Sequence, residues 1–271
     1  MKLTTTLVAL FLGAAPALAQ APAPASEKNP ESAALYEIDT EAQKAPPANT
    51  PLARILESLH VRVCVRSDVP PLGYFSSGQL EGFDVELASE LVKQLGIDYK
   101  RVLKIEWTVV TAEERMKHLQ QNGCDILVAA LSHTKERAGQ AELSKIYVRT
   151  DKVLLAAGNI TRKSPVIAQV GGTTGDAGIK GTPRPFHTYQ EVAYAMELGG
   201  IDYLVTDRPI AEHLMRSTTK PFKITKTLAK DAESYAVATP KGDPLLIQAV
   251  NRALEDLARS GRLAFIQRRW L

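Results

Sequence analysis

Four short polar loops hold the side chains with the most capacity for chemistry. They read SDVPPLGYF over residues 67–75, SHTKER over 132–137, GGTTGD over 171–176 and TDRP over 206–209. Hydroxyls, carboxylates and guanidinium groups dominate them, so their chemistry is hydrogen bonding and charge. Other chemistries find little support. The five histidines (His60, His118, His133, His187, His213) form no H-x-x-x-H pair and the cysteines no C-x-x-C, so no metal site or cofactor is expected. GGTTGD lacks the lysine of a phosphate-binding loop, and no G-x-S-x-G elbow occurs. Positive charges are scattered among acidic ones at a net charge of +3, so no nucleic-acid partner is expected.

The elements around these loops alternate. Residues 52–59 read as a short helix and VRVCV (61–65) as a β-branched strand. GFDVELASELVKQLG places Val85, Leu87, Ala88, Leu91, Val92 and Leu95 on one helical face, with Gly96 as the stop signal. A strand over 104–110, a helix over 112–121 and the apolar strand CDILVAAL follow; the last reads as central and parallel. The order strand, helix, strand, helix, strand implies crossover units in an α/β sheet. A smaller repeat comes next: strands at 152–157, PVIAQV and IDYLVT, helices at 189–198 and 209–216, and the returning strand SYAVATP. A long helical region over 244–271 closes the chain. A second domain inserted between two segments of the first fits this order. In open α/β sheets ligands bind at the carboxyl ends of strands, which is where the four polar loops fall.

The amino end differs in kind. Met1-Lys2 is positive, residues 4–15 are apolar and uncharged, and Ala17-Leu18-Ala19 is an A-x-A cleavage pattern. This order predicts a signal peptide over 1–19 and export. An apolar run of roughly a dozen residues is short of the ~20 that span a bilayer. The next cysteine is Cys64, which argues against a lipid anchor. Residues 20–50, rich in Ala, Pro, Ser and Glu, read as an extended linker. Apolar residues at 45% and charged residues at 23% place the rest among ordinary globular proteins, and the mature protein is expected to be soluble. In an oxidising compartment Cys64 and Cys124, on neighbouring strands, could form a disulfide or stay as two buried thiols; register decides, and the sequence leaves both open.

The strings VRVCVRSDVPPLGYFSSGQLEGFDVELASELVKQLG, CDILVAALSHTKERAGQAELSKIYV, GGTTGD and GGIDYLVTDRPIAEHL, in this order, resemble the successive signatures of the family 3 extracellular solute-binding proteins. These are the polar amino-acid-binding proteins of ABC importers, and the resemblance covers about residues 58–271. It implies the type II two-lobed periplasmic-binding-protein fold, with residues 51–153 plus 236–271 as lobe 1 and 154–235 as lobe 2. Two hinge strands, near 152–155 and 234–237, would join them. A small molecule, an amino acid, would bind in the cleft of a periplasmic monomer, and the closed form would dock on an inner-membrane ABC permease.

The resemblance also selects residues. It puts Arg137 at the carboxylate-binding arginine, Ser132 at the hydroxyl beside it, Ala130 where many relatives carry another small polar residue, and Asp207 at the ammonium-binding aspartate. A zwitterion needs such a pair, a planar cation at one end and an anion at the other. Thr174 would sit at a helix N-terminus, where free amides attract an anion. Asp68 and Tyr74 complete the expected ligand-binding set. Bland readings stand beside these. Arg137 could be a salt-bridged helix-start arginine, Asp207 an N-cap before Pro209, and Tyr74 core packing at a strand end. Val69 and Leu72 stand where relatives usually carry aromatic residues. His133 is expected to face away from the ligand as a buried, hydrogen-bonded histidine. Two other functions are compatible with the fold: a periplasmic dehydratase of prearomatic acids, with Glu142 and Glu106 as acids to consider, or an accessory or sensory module of a periplasmic dehydrogenase system.

Overall fold

Thr50 caps the first helix, α1 (Pro51–Ser58), its hydroxyl accepting from the Ala53 amide, and the chain enters β1 (His60–Val65) directly. These elements come from a computed structural model, which describes residues 45–175 and 178–271. The expected leader and the linker up to residue 44 lie outside the described residues. Among the described residues no helix is long and apolar enough to cross a membrane.

The first polar loop folds on itself as a three-stranded sheet of β2 (Asp68–Val69), β3 (Gly73–Ser76) and β4 (Gln79–Glu81). Then come α2 (Phe83–Asp98), β5 (Lys104–Val109), α3 (Arg115–Gln120), β6 (Ile126–Leu127), α4 (Lys135–Gln140) and β7 (Ala141–Ala156). The remainder is β8 (Val166–Val170), β9 (Thr182–Phe186), α5 (Tyr189–Glu197), β10 (Tyr203–Asp207), α6 (Arg208–Ser217), β11 (Lys223–Pro240), α7 (Pro244–Arg259) and α8 (Arg262–Trp270).

One mixed eight-stranded sheet unites them in the order β5-β1-β6-β11-β7-β10-β8-β9. β1 is parallel to β5 and β6, and β8 is parallel to β9 and β10. The two long strands β7 and β11 pair antiparallel between these groups, from Ala156 opposite Lys223 to Ala141 opposite Pro240. Their ladder slips between Ala229 and Glu233 and again around Tyr235–Ala238. α1, α2, α7 and α8 cover the β5-β1-β6 half, while α5 and α6 pack on the β10-β8-β9 half. Leu87, Leu91 and Leu95 of α2 meet Leu246, Val250 and Ala253 of α7 in the main core. A satellite core surrounds Cys64 and Cys124, which form a disulfide with their Cα atoms 5.8 Å apart. Of the two alternatives left open by the sequence, the structure has the bridge.

Several expected boundaries change. CDILVAAL is central, but only Ile126–Leu127 is strand, and its second neighbour, β11, is antiparallel. The run ends because Ala130 adopts φ +48° and turns the chain toward side-chain partners instead of a ladder. Gly96 does not stop α2, which continues to Asp98; a Cβ there would lie 2.6 Å from the Arg101 carbonyl, so the glycine permits a close return of the chain. The closing helix breaks at Gly261, whose φ of +77° suits glycine. TPRPF forms an unexpected strand, and β9 tolerates its prolines because it is the sheet's edge.

Candidate ligand-binding site

The four polar loops do converge, at the middle of the sheet where the two halves meet. Beyond β6 the chain presents Ala130, Ser132 and then α4, whose first turn is capped by Thr134 accepting from the Arg137 amide. The Arg137 guanidinium turns back to donate to the Ser132 carbonyl at 2.9 Å and reaches across to the Gly172 carbonyl of the GGTTGD loop at 3.2 Å. Among the described residues it is in no salt bridge, the bland alternative for this residue. Burial lowers its pKa, partly opposed by Glu233, Glu136 and Asp207.

Thr174 comes from the other half. Its hydroxyl lies 3.3 Å from that of Ser132 and donates to Glu233 at 2.8 Å. The helix N-terminus expected at this loop is absent among the described residues, where the loop is a turn with Gly172 at φ +69°. Thr174 therefore engages through its side chain and carbonyl rather than through helix-end amides. Lys152, on β7, donates to both the hydroxyl and the carbonyl of Thr174 and pairs with Glu233 at 2.5 Å. Burial pushes the Glu233 carboxyl up, but hydrogen bonds from Lys152, Ser132 and Thr174 outweigh it and hold the carboxyl below its ordinary value.

Asp207 ends β10 and stands at the N-cap position of α6, yet its side chain makes no capping bond. It accepts from the Tyr235 hydroxyl instead. Burial, with the nearby charge of Glu233, raises its pKa to about 6 against the pull of Tyr235, Lys152 and Arg115. Ala130 contributes main chain rather than side chain: its amide donates to Asp84 at 2.7 Å and its carbonyl accepts from Arg115 at 3.1 Å. Asp84 also accepts from the Tyr147 hydroxyl at 2.9 Å, and burial lifts its pKa to about 6 despite both bonds.

Asp68 is near by but committed. Arg66 donates to it through Nε at 2.9 Å and Nη2 at 2.7 Å, and lies 5.4 Å over the ring of Tyr189. Tyr74 is not brought into this cluster; its ring neighbours are His213 at 6.2 Å and Trp270 at 6.4 Å. His133 is exposed, not buried, because it lies on the outer side of a bridge between Ser132 and Tyr235; its amide donates to the Ser234 carbonyl. Glu106 and Glu142 are remote from the site: the first is on the exposed edge strand β5 and the second pairs with Lys241.

Sequence reasoning missed five members of the cluster: Arg66, Asp84, Arg115, Lys152 and Glu233. All are at most 8% exposed. Three of them carried a signal, a charge within or beside an apolar run: Arg66 after VCV, Asp84 between Phe83 and Val85, Lys152 before VLLAA. Such charges are rarely buried without a partner or a function.

A model of the family described as bacterial extracellular solute-binding proteins, family 3, matches residues 61–271. The chain belongs to that family. Among its relatives is the ABC transporter glutamine-binding protein of Bacillus subtilis, 29% identical over 245 residues that cover 85% of this chain and 88% of the relative. The crystal structure of a solute receptor for L-cysteine of Neisseria gonorrhoeae shares the fold at a TM-score of 0.74 and 24% identity, covering 82% of this chain and 94% of that one. An ancestral amino acid-binding protein, described as a precursor of cyclohexadienyl dehydratase, is similar at a TM-score of 0.69 and 25% identity, over 81% of this chain and 98% of the other. The mixed sheet seen here is thus the architecture of solved amino-acid-binding proteins, as the sequence resemblance implied.

Proposed function

We propose that this protein is an exported binding protein that captures a free amino acid between two lobes and delivers it to an ABC permease in the inner membrane. The lobes are residues 51–153 with 236–271, and 154–235, hinged where β7 and β11 cross between them. One observation carries the reading. Opposite charges from the two halves of the sheet, Arg137 beside Ser132 and Asp207 beside Tyr235, meet around the Ser132–Thr174 contact. In this reading Arg137 takes the ligand carboxylate and Asp207 its ammonium. The leader-like amino end and the family's extracellular members support a periplasmic location.

Titration calorimetry with a panel of free amino acids tests this. Truncating one partner of a desolvated charge pair costs ~2–5 kcal/mol. Arg137→Met and Asp207→Ala should therefore each weaken binding by about 100-fold, the equivalent of roughly 3 kcal/mol. Arg149→Met should change affinity less than about twofold, since Arg149 is exposed and donates to the Ser234 hydroxyl. Wild-type affinity in Arg137→Met would sink the carboxylate clamp.

A dehydratase is the second reading, supported by the likeness to the dehydratase precursor and by the buried Asp207 carboxyl, held at about 6 where it can donate a proton. Turnover of a prearomatic acid, followed by absorbance, would favour it over capture.

A further inference from the structure

Three guanidinium groups converge on the site, and among the described residues only one has a carboxylate partner. Among those residues Arg137 and Arg115 donate to main-chain carbonyls: Arg137 to Ser132 and Gly172, Arg115 to Ala129, Ala130 and Gly172. Arg115 is 2% exposed, and its Nε is buried with no hydrogen bond among the described residues. The third, Arg66, is equally buried at the end of β1. Its bidentate bond to Asp68 uses Nε and Nη2, and the Tyr189 ring lies under its plane. The guanidinium is thereby fixed in orientation while Nη1 stays outside the pair. Arg66 lies in the same field as the rest of the cluster: its charge acts on Asp84 and Arg115, and Arg115 feels Arg137 as well.

We propose that Arg66, with Arg115, reads the ligand's side chain, and that the site selects amino acids whose side chain ends in a carboxylate, as in aspartate and glutamate. This rests on the amino-acid-binding reading above. A zwitterion with a neutral side chain gives one carboxylate to Arg137 and one ammonium to Asp207, and leaves Arg115 bonded only to carbonyls when the site closes. A buried cation without a counter-charge is costly. Glu233 already pairs with Lys152 and Asp68 with Arg66, while Asp84 and Asp207, whose carboxyls Arg115 acts on from a distance, are taken up by the Ala130 amide and the Tyr147 and Tyr235 hydroxyls, so Arg115 has no direct carboxylate bond among the described residues. A second ligand carboxylate supplies the missing charge through charge-assisted bonds, roughly twice as strong as those an amide accepts. A cationic side chain adds a fifth positive charge beside Arg66, Arg115, Arg137 and Lys152.

Calorimetry of the full-length mature protein with L-glutamate, L-aspartate, L-glutamine and L-arginine tests the proposal. Glutamate or aspartate should bind at least about tenfold more tightly than glutamine, a difference of about 1.4 kcal/mol, with arginine weakest. Arg66→Met should weaken glutamate binding by roughly 30-fold while changing glutamine binding by less than about threefold. Because that change strands Asp68, the double variant Arg66→Met/Asp68→Asn is measured beside it, with thermal melting to confirm folding. Tighter binding of glutamine or arginine by the wild-type protein overturns the proposal and leaves amino-acid capture standing. So does an undiminished preference for glutamate in a folded variant. Failure of all amino acids to bind overturns both.

Discussion

The two halves of the sheet furnish the site in different ways. In the β5-β1-β6 half, β5 is mostly exposed, but Val61, Val63 and Cys64 of β1 and Leu127, Val128 and Ala129 at and after β6 are fully enclosed. Its charged groups, Arg66, Asp84 and Arg115, are correspondingly buried, Arg66 paired with Asp68, Asp84 accepting from the Ala130 amide and the Tyr147 hydroxyl, and Arg115 donating to backbone carbonyls. The β10-β8-β9 half is thinner. β9, like the opposite edge strand β5, is exposed for most of its length, Tyr194 and Leu198 face solvent, and Thr174 and Asp207 keep part of their surface open although the Asp207 carboxyl itself is enclosed. Close packing of this kind resists gradual deformation, so the buried charges of the first half are held in place. In the proposed binding reading, the second half brings the groups that complete the site on closure.

The disulfide is the sharpest way to break that contrast, because Cys64–Cys124 lies wholly in the first half and encloses a separation of 60 residues. Replacing both cysteines by serine should lower unfolding free energy by about 4 kcal/mol on loop-closure arguments. Denaturant melts measure this. Affinity in the still-folded variant should stay within about threefold of wild type if the close-packed frame holds the site without the bridge. A tenfold loss of affinity would show that the frame depends on the bridge.

Acidity separates the halves next. Asp207, raised from 3.8 to about 6, must be ionised to hold an ammonium group. Ligand affinity should therefore fall by about tenfold between pH 7 and pH 5, as the ionised fraction drops from about nine-tenths to about one-tenth. Stability runs the other way. Because the folded carboxyls of Asp84 and Asp207 bind protons more readily than an unfolded chain does, folded protein gains stability as pH falls from about 6 toward 3.8. Calorimetric titrations across this range check the affinity and denaturant melts the stability, with Asp207→Asn as the control; a pH dependence of affinity that survives in Asp207→Asn would assign it elsewhere.

What could be read from the sequence follows the same division. Strands and helices with a clear period, such as β1, α2 and α5, were legible, as was the convergence of the four polar loops. Endpoints set by tertiary partners were not. β6 stops early because Ala130 turns to meet Asp84 and Arg115, neither of which is a sequence neighbour. The GGTTGD loop reads as the start of a helix, yet it is a turn whose threonine seeks Glu233, 59 residues away. The first halves of β7 and β11, before the strands read at 152–157 and 234–240, were hidden because charges such as Lys145, Arg149, Lys223 and Lys226 interrupt any apolar run there.

Closure itself is open to direct measurement. If the second half moves onto the first around a captured amino acid, small-angle scattering of the protein should give a smaller radius of gyration with the bound amino acid than without it, as hinge closure requires. An unchanged scattering profile at saturating ligand, with binding verified in the same sample, would contradict the account.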